Sequence, residues 1–172
     1  MMNAFRLNSF RTLATGLMLC MLTEPAFAEA PPVVDLVTVH KADRQLELWS
    51  QGRVVRRYAV ALGWSPVGHK RYNGDGRTPE GDYVLDFRNE NSAYYRSIRI
   101  SYPSAEDERA ARASNLDPGG DIMIHGQKNG ASWAELTRRY RDWTLGCIAV
   151  TNAEMDEIWS LVPLGTPIRI QP

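Results

Sequence analysis

Short runs that place an apolar side chain at every second position, separated by turn residues, confine this chain to a mainly β fold with a few short helices. Val33 to Val39 is β-branched and apolar, Lys41 to Arg44 is a polar turn, and Gln45 to Trp49 alternates Leu46 and Leu48 with polar neighbours. Gln51-Gly52 turns the chain into Val54 to Leu62, where Val54, Tyr58 and Val60 share one face. The three segments read as an antiparallel meander. Gly63 to Gly81 holds five glycines and two prolines, too many for regular structure, and reads as a long loop. Strands are expected to resume at Tyr83 to Phe87, Ile98 to Ser101, Asp121 to Ile124, Cys147 to Val150 and Pro167 to Ile170, with a loop at Asn89 to Asn91.

Helices are expected near 105–113, 133–140 and 152–161, because Ser104, Ser132 and Thr151 each precede an acidic residue by three positions. The Ser132/Glu135 and Thr151/Glu154 pairs fit the capping box, in which hydroxyl and carboxylate each satisfy a backbone donor at the helix start. In the last helix Met155, Ile158, Trp159 and Val162 recur at helical spacing, which marks a core-facing stripe.

Residues 1–28 have the form of a secretory signal peptide. Arg6 and Arg11 lead into an apolar stretch from Leu13 to Leu22, and Ala26-Phe27-Ala28 is a small-residue cleavage site. The apolar stretch is short for a bilayer span, which takes about 20 residues, so no lasting membrane insertion is expected. Removing residues 1–28 from the 172 leaves 144, residues 29–172, a length that suits a single domain. Basic residues then fall from 20 to 18 and acidic ones from 20 to 19, for a formal charge of −1. That balance excludes the basic footprint of a nucleic-acid binder. Cys20 leaves with the leader, so Cys147 remains without an intrachain partner and the fold rests on apolar burial and hydrogen bonds.

An unpaired thiol in an oxidising compartment points to chemistry. With an ordinary pKa near 8.5 only about 3% is thiolate at pH 7, so a nucleophilic role needs a base or a positive field. His125 is the natural supplier. It ends the apolar run Ile122-Met123-Ile124, and Gly126 after it admits a close neighbour or a substrate. Cys147 begins a second such run, Ile148-Ala149-Val150, so neighbouring strands would bring thiol and imidazole to one sheet end although they lie 22 positions apart. The segment between them then forms an excursion beside or over the site. Gly146 leaves its amide open to a developing oxyanion, a donor typically worth about 3 kcal/mol, and Thr144 is placed to steady the turn or touch substrate. The bland alternative makes Cys147 a small buried hydrophobe and His125 a core histidine.

His125-Gly126 followed by Thr144-Leu145-Gly146-Cys147-Ile148 resembles the signature of the L,D-transpeptidase catalytic domain, His-Gly and then Ser/Thr-x-Gly-Cys. Thr78-Pro79-Glu80-Gly81-Asp82-Tyr83, Tyr102-Pro103 and the ending Gly165-Thr166-Pro167-Ile168-Arg169-Ile170 resemble further elements of that domain in the same order. The resemblance implies a β-sandwich or barrel-like catalytic domain over 29–172, periplasmic, monomeric, and engaged in cell wall biogenesis and cell shape. It implies Cys147 as nucleophile, His125 as base and later acid, the Gly126 carbonyl as orienter of the imidazole, and the amides of Gly146 and Cys147 as oxyanion donors. The donor is a peptidoglycan stem peptide whose third residue, usually meso-diaminopimelate, is acylated onto the cysteine with release of D-alanine. No metal or organic cofactor is implied, since thiolate, imidazole and backbone donors suffice.

This chain departs from many members in having Leu145 where a histidine and Ala149 where an arginine often stand. The acceptor is thereby left open among diaminopimelate, L-alanine, a wall-linked lipoprotein and water, so a peptidoglycan hydrolase of the same fold is the alternative. Arg138, Arg139 and Arg141 beside Trp143 form a candidate fork for stem-peptide carboxylates, with Tyr140 or Trp143 packing on the peptide; a helix end whose cations complement the dipole explains the arginines equally. Tyr94 and Tyr95 are candidates for a cleft wall or for sheet-face aromatics, and Arg77 for a substrate contact or a solvated side chain. His40 and His69 lack ligand spacing, so no zinc site is expected. A papain-like order would put cysteine before histidine. A sortase pattern is only faintly echoed by Thr144-Leu145 and Arg169. A catalytically silent peptidoglycan-binding protein is the rival from another class.

Overall fold

The computed structural model describes residues 32–131 and 142–172. The leader expected at 1–28 and the helix expected near 133–140 lie outside these residues. β1 (Leu36–His40), β2 (Gln45–Ser50) and β3 (Arg53–Ala59) form the expected antiparallel meander. β4 (Gly81–Ser92) and β5 (Tyr95–Ile100) follow the long loop as a hairpin. Then come α1 (Ala105–Ala113), β6 (Met123–His125), β7 (Ile148–Ala149), α2 (Asn152–Leu161) and β8 (Pro167–Gln171). The strands make one sheet in the order β3-β2-β1-β8-β4-β5-β6-β7, antiparallel except for β1 with β8 and β6 with β7.

The sheet curls until its ends meet. Just beyond β3, Ala61 and Ala149 of β7 exchange both backbone hydrogen bonds at 3.0 and 2.8 Å, which closes the barrel-like wrap. Long β4 makes the turn possible: Gly81–Val84 pairs with β8, and from Leu85 onward it pairs with β5 across two irregularities. Such bulges add twist and let one strand serve two sheet halves. The core inside is apolar, with Val37, Val39, Leu46, Leu48, Ile98, Ile100 and Ile124 fully buried. Each such side chain contributes roughly 1.5–3 kcal/mol.

Three local expectations give way to the structure. Asn89–Asn91 is strand rather than loop, because Asn89 pairs with Ser97 in β5. In β3 the register shifts opposite Leu48 and Trp49, and the extra residue turns Val55 rather than Val54 toward the core. Ser104 and Asp107 also form a full capping box, Asp107 standing in for the usual glutamate. The Thr151/Glu154 box starts α2 as expected, and Met155 and Ile158 are fully buried. Arg88 closes the other end of α2 by donating to the carbonyls of Trp159 and Val162, both at 2.7 Å, where a cation suits the helix dipole. Among the described residues no helix is long and apolar enough to cross a membrane.

Candidate active site

β6 and β7 are neighbours, as the two apolar runs suggest, and they are parallel: Ile124 pairs with Ile148 and His125 with Ala149. Cys147, one residue before β7, therefore lies beside Met123, two positions back along β6 from His125. Side chains two apart share a face, so thiol and imidazole stand on one wall. Both line a single cleft of about 500 Å³. The thiol's hydrogen bonds run to the backbone, with Met123 N–H donating to Sγ at 3.4 Å and Sγ facing the Asp121 carbonyl at 3.5 Å.

His125 is buried, and its Nδ1 lies 2.6 Å from the Gly126 carbonyl. A carbonyl accepts only, so Nδ1 carries the proton and Nε2 is left with its lone pair. Nε2 has no hydrogen-bond partner among the described residues. Aromatic rings flank the imidazole: Tyr94 lies 4.6 Å away between centroids and Trp143 sits edge-on at 5.8 Å. Burial holds the imidazole below the ordinary histidine range, against the Gly126 carbonyl, which raises it. Burial also pushes the Cys147 thiol up; the Met123 N–H works against this, Asp121 adds to it, and Lys70 lowers it slightly. The resting pair is thus thiol and neutral imidazole.

The turn before the cysteine is built by Thr144. Its buried hydroxyl donates to the Cys147 carbonyl at 2.7 Å and accepts from Gly146 N–H at 3.1 Å, while its own backbone joins Leu62 and Trp64. The Gly146 amide is therefore already engaged by Thr144. Gly146 is required for another reason: at φ +133° its α-carbon faces the Arg77 carbonyl, which a Cβ would meet at 2.7 Å. Asp142 anchors the motif from the other side, accepting from the Arg44 guanidinium at 2.7 Å and from Leu62 N–H at 3.0 Å.

Trp143, Thr144 and Leu145 line the cleft, and Leu145 is largely exposed. Tyr95 does not: its hydroxyl donates to Asp156 on α2 at 2.8 Å, and its Cβ backs onto Gly126. The adjacent Tyr94, in the β4–β5 turn, faces the cleft instead, where the chain reverses and Tyr95 takes a left-handed φ of +68°. The closeness that Gly126 permits is to Tyr95 and to Asn152, whose side-chain oxygen also accepts from Gln127 N–H. Ala149 is buried between His125 and Ala61. Arg77 turns back to the His69 carbonyl. Arg138, Arg139, Tyr140 and Arg141 lie outside the described residues. Lys70, which sequence reasoning passed over, lines the cleft while almost fully buried. Among the described residues no group of three or more His, Cys, Asp or Glu side chains is placed to hold a metal ion.

The L,D-transpeptidase catalytic domain model matches residues 35–170. The chain belongs to this family. It is 30% identical over 133 residues to the Escherichia coli (strain K12) protein named "Putative L,D-transpeptidase YafK", covering 73% of this chain and 46% of that one. It is 28% identical over 138 residues to the Bacillus subtilis protein named "Putative L,D-transpeptidase YqjB", covering 78% and 69%. It thus spans about half the length of the first of these relatives. In three dimensions it resembles the helical cell shape determining protein Pgp2 of Campylobacter jejuni, with a TM-score of 0.62, 24% identity, and 80% of this chain and 47% of that one covered. It also resembles an L,D-transpeptidase of Xylanimonas cellulosilytica, with a TM-score of 0.52, 19% identity, and 84% and 63% covered. These solved structures establish the fold, a mainly β L,D-transpeptidase domain.

Proposed function

We propose that this L,D-transpeptidase-family domain is an exported cysteine acyltransferase that works on peptidoglycan stem peptides through a thioester at Cys147. The observation that carries the reading is the parallel pairing of β6 and β7, which puts a thiol and a buried, tautomerically fixed imidazole on one wall of one cleft. Burial keeps both groups neutral at rest, so the proton moves during attack rather than before it.

In the first half-reaction Sγ adds to the carbonyl carbon of the third stem residue while Nε2 of His125 takes the thiol proton. The Cys147 N–H steadies the oxyanion, and Thr144 holds the turn that presents it. Collapse breaks the amide bond, His125 returns the proton to the leaving D-alanine nitrogen, and the thioester remains. In the second half-reaction an acceptor amine, of diaminopimelate or L-alanine, adds to the thioester as His125 takes its proton. Expulsion of Sγ then regenerates the thiol. Residues 1–28 serve as the export leader, which puts the chemistry in the periplasm, and the likeness to Pgp2 extends the proposal to wall remodelling that bears on cell shape.

Water can take the place of the amine, giving a carboxypeptidase or a hydrolase that frees a wall-linked lipoprotein. Leu145 and the buried Ala149, standing where many members have histidine and arginine, favour this second reading. Incubating mature protein with purified disaccharide tetrapeptides separates the two by mass: Cys147-dependent dimers mean transpeptidation, and loss of D-alanine without dimers means hydrolysis. Unchanged masses with both tetrapeptides and protein-linked sacculi, together with wall binding that survives Cys147→Ser, would make the protein a silent peptidoglycan binder.

A further inference from the structure

The loop between Gly63 and Gly81 carries a charge into the cleft that the acyl-transfer chemistry leaves unused. Lys70 is 3% exposed, and among the described residues lining the cleft it is the one lysine or arginine. Burying an ammonium is expensive unless it is paired and hydrogen-bonded. Lys70 Nζ donates to Asp75 Oδ1 at 2.9 Å and to the Tyr72 carbonyl at 3.1 Å. An ammonium has three N–H bonds, so one remains without a partner among the described residues.

Asp75 does not depend on Lys70 for its own satisfaction. It is buried and accepts from three backbone N–H groups, those of Arg71 at 2.7 Å, Tyr72 at 3.3 Å and Arg77 at 3.0 Å. These donors spread its charge and fold the loop around it. A loop latch would be complete with Asp75 and its backbone partners, and replacing a buried pair by apolar side chains is often neutral or stabilising. The ammonium is therefore better explained by what it faces. It lies in the same cleft as Cys147, close enough for its charge to be felt at the sulfur. The position that many family members fill with arginine is here the buried Ala149, and the cation described in the cleft comes instead from the loop between Gly63 and Gly81.

We propose that Lys70 is a specificity-determining residue that binds the carboxylate of the acyl donor through its third N–H. In a short peptide donor the carboxylate nearest the attacked carbonyl belongs to the leaving residue, so the cleft selects donors whose leaving residue ends in a free carboxylate. The inference rests on the acyl-transfer reading of Cys147, and its test has an arm that stands apart from that reading.

Iodoacetate and iodoacetamide alkylate the same sulfur and differ by one charge, so the ratio of their rates at Cys147 reports the local field while cancelling any change in thiolate fraction. Lys70→Met is expected to lower the iodoacetate-to-iodoacetamide ratio about tenfold, and Asp75→Asn to raise it. A ratio unmoved in both folded variants overturns the proposal. With tetrapeptide donors, wild type is expected to favour the free carboxylate over the terminal carboxamide by about ten- to a hundredfold in kcat/KM, and Lys70→Met to abolish that preference. Equal losses on both donors would assign Lys70 to the oxyanion instead and overturn the carboxylate role. If wild type turns over neither donor, the acyl-transfer reading fails while the alkylation ratio still judges Lys70. Should Lys70→Met not fold, the Asp75→Asn ratio and the wild-type donor preference decide.

Discussion

In β1, β2 and β8 the side chains turned inward are Val37, Val39, Leu46, Leu48, Ile168 and Ile170, each 2% exposed or less, whereas the cleft buries His125, Thr144, Ser97 and Lys70. The first region is a continuous ladder of strands five to six residues long. The second is two strands of three and two residues, and its shape comes from side chains bonded to backbone: Thr144 to Cys147 and Gly146, Asp142 to Leu62, Asn152 to Gln127. Apolar packing is non-directional and tolerates exchange among similar volumes, while each hydrogen bond in the cleft fixes one atom. The frame therefore sets stability and the cleft sets geometry, and substitutions in the two regions ought to separate these quantities.

The widest separation is expected from His125→Asn. It removes the proposed base but keeps a polar side chain of smaller volume, so kcat/KM should fall by about 10²- to 10⁴-fold with a melting curve near that of wild type. An active His125→Asn protein would dissolve the distinction. Leu48→Ala should do the reverse, lowering unfolding free energy in a denaturant titration by about 2–5 kcal/mol while activity per folded molecule is retained. Thr144→Val sits between the two regions: it strands the Gly146 N–H and frees the Cys147 carbonyl, for a loss of about 1–3 kcal/mol divided between melting temperature and kcat. If the whole loss appears as stability, Thr144 belongs to the frame.

The smallest effect is in pH. With the imidazole held low by burial, its active neutral form persists as pH falls, so the acidic limb of kcat/KM should lie below the ordinary histidine value. Tyr94→Leu opens one aromatic wall to water and should move that limb upward. An unmoved limb would mean that Tyr94 does not shield the imidazole.

The frame was legible because burial on one face leaves a period-two trace, and α1 and α2 because a cap needs only three-residue spacing. Within the same meander a single extra residue escaped that logic, exchanging Val54 for Val55. The strand at Asn89–Ser92 left no trace, since its polar side chains are neither β-branched nor buried in alternation and only pairing with β5 makes it extended. That Cys147 and His125 would meet at one cleft was legible from the two apolar runs that carry them. The choice of Tyr94 over Tyr95 was not, because it depends on register at a turn. Nor could the Gly146 amide be assigned, because a hydroxyl two residues earlier already accepts its proton. Lys70 was invisible since lysine in a glycine-rich loop ordinarily points to water, and its burial depends on four contacts that Asp75 makes across the loop.

The protonated state of Cys147 bears on survival as well as on the proposed catalysis. Thiolates are the form that attacks peroxides and disulfides, and the ladder from sulfenic to sulfonic acid begins from that anion. By surrounding the sulfur with protein, and with the charge of Asp121 adding to that burial, the fold lowers the standing population of the form that oxidants consume. In the proposed acyl transfer the sulfur gives up its proton only while a substrate carbonyl is there to receive it, so the chemistry that would make the residue useful is also timed to keep it intact.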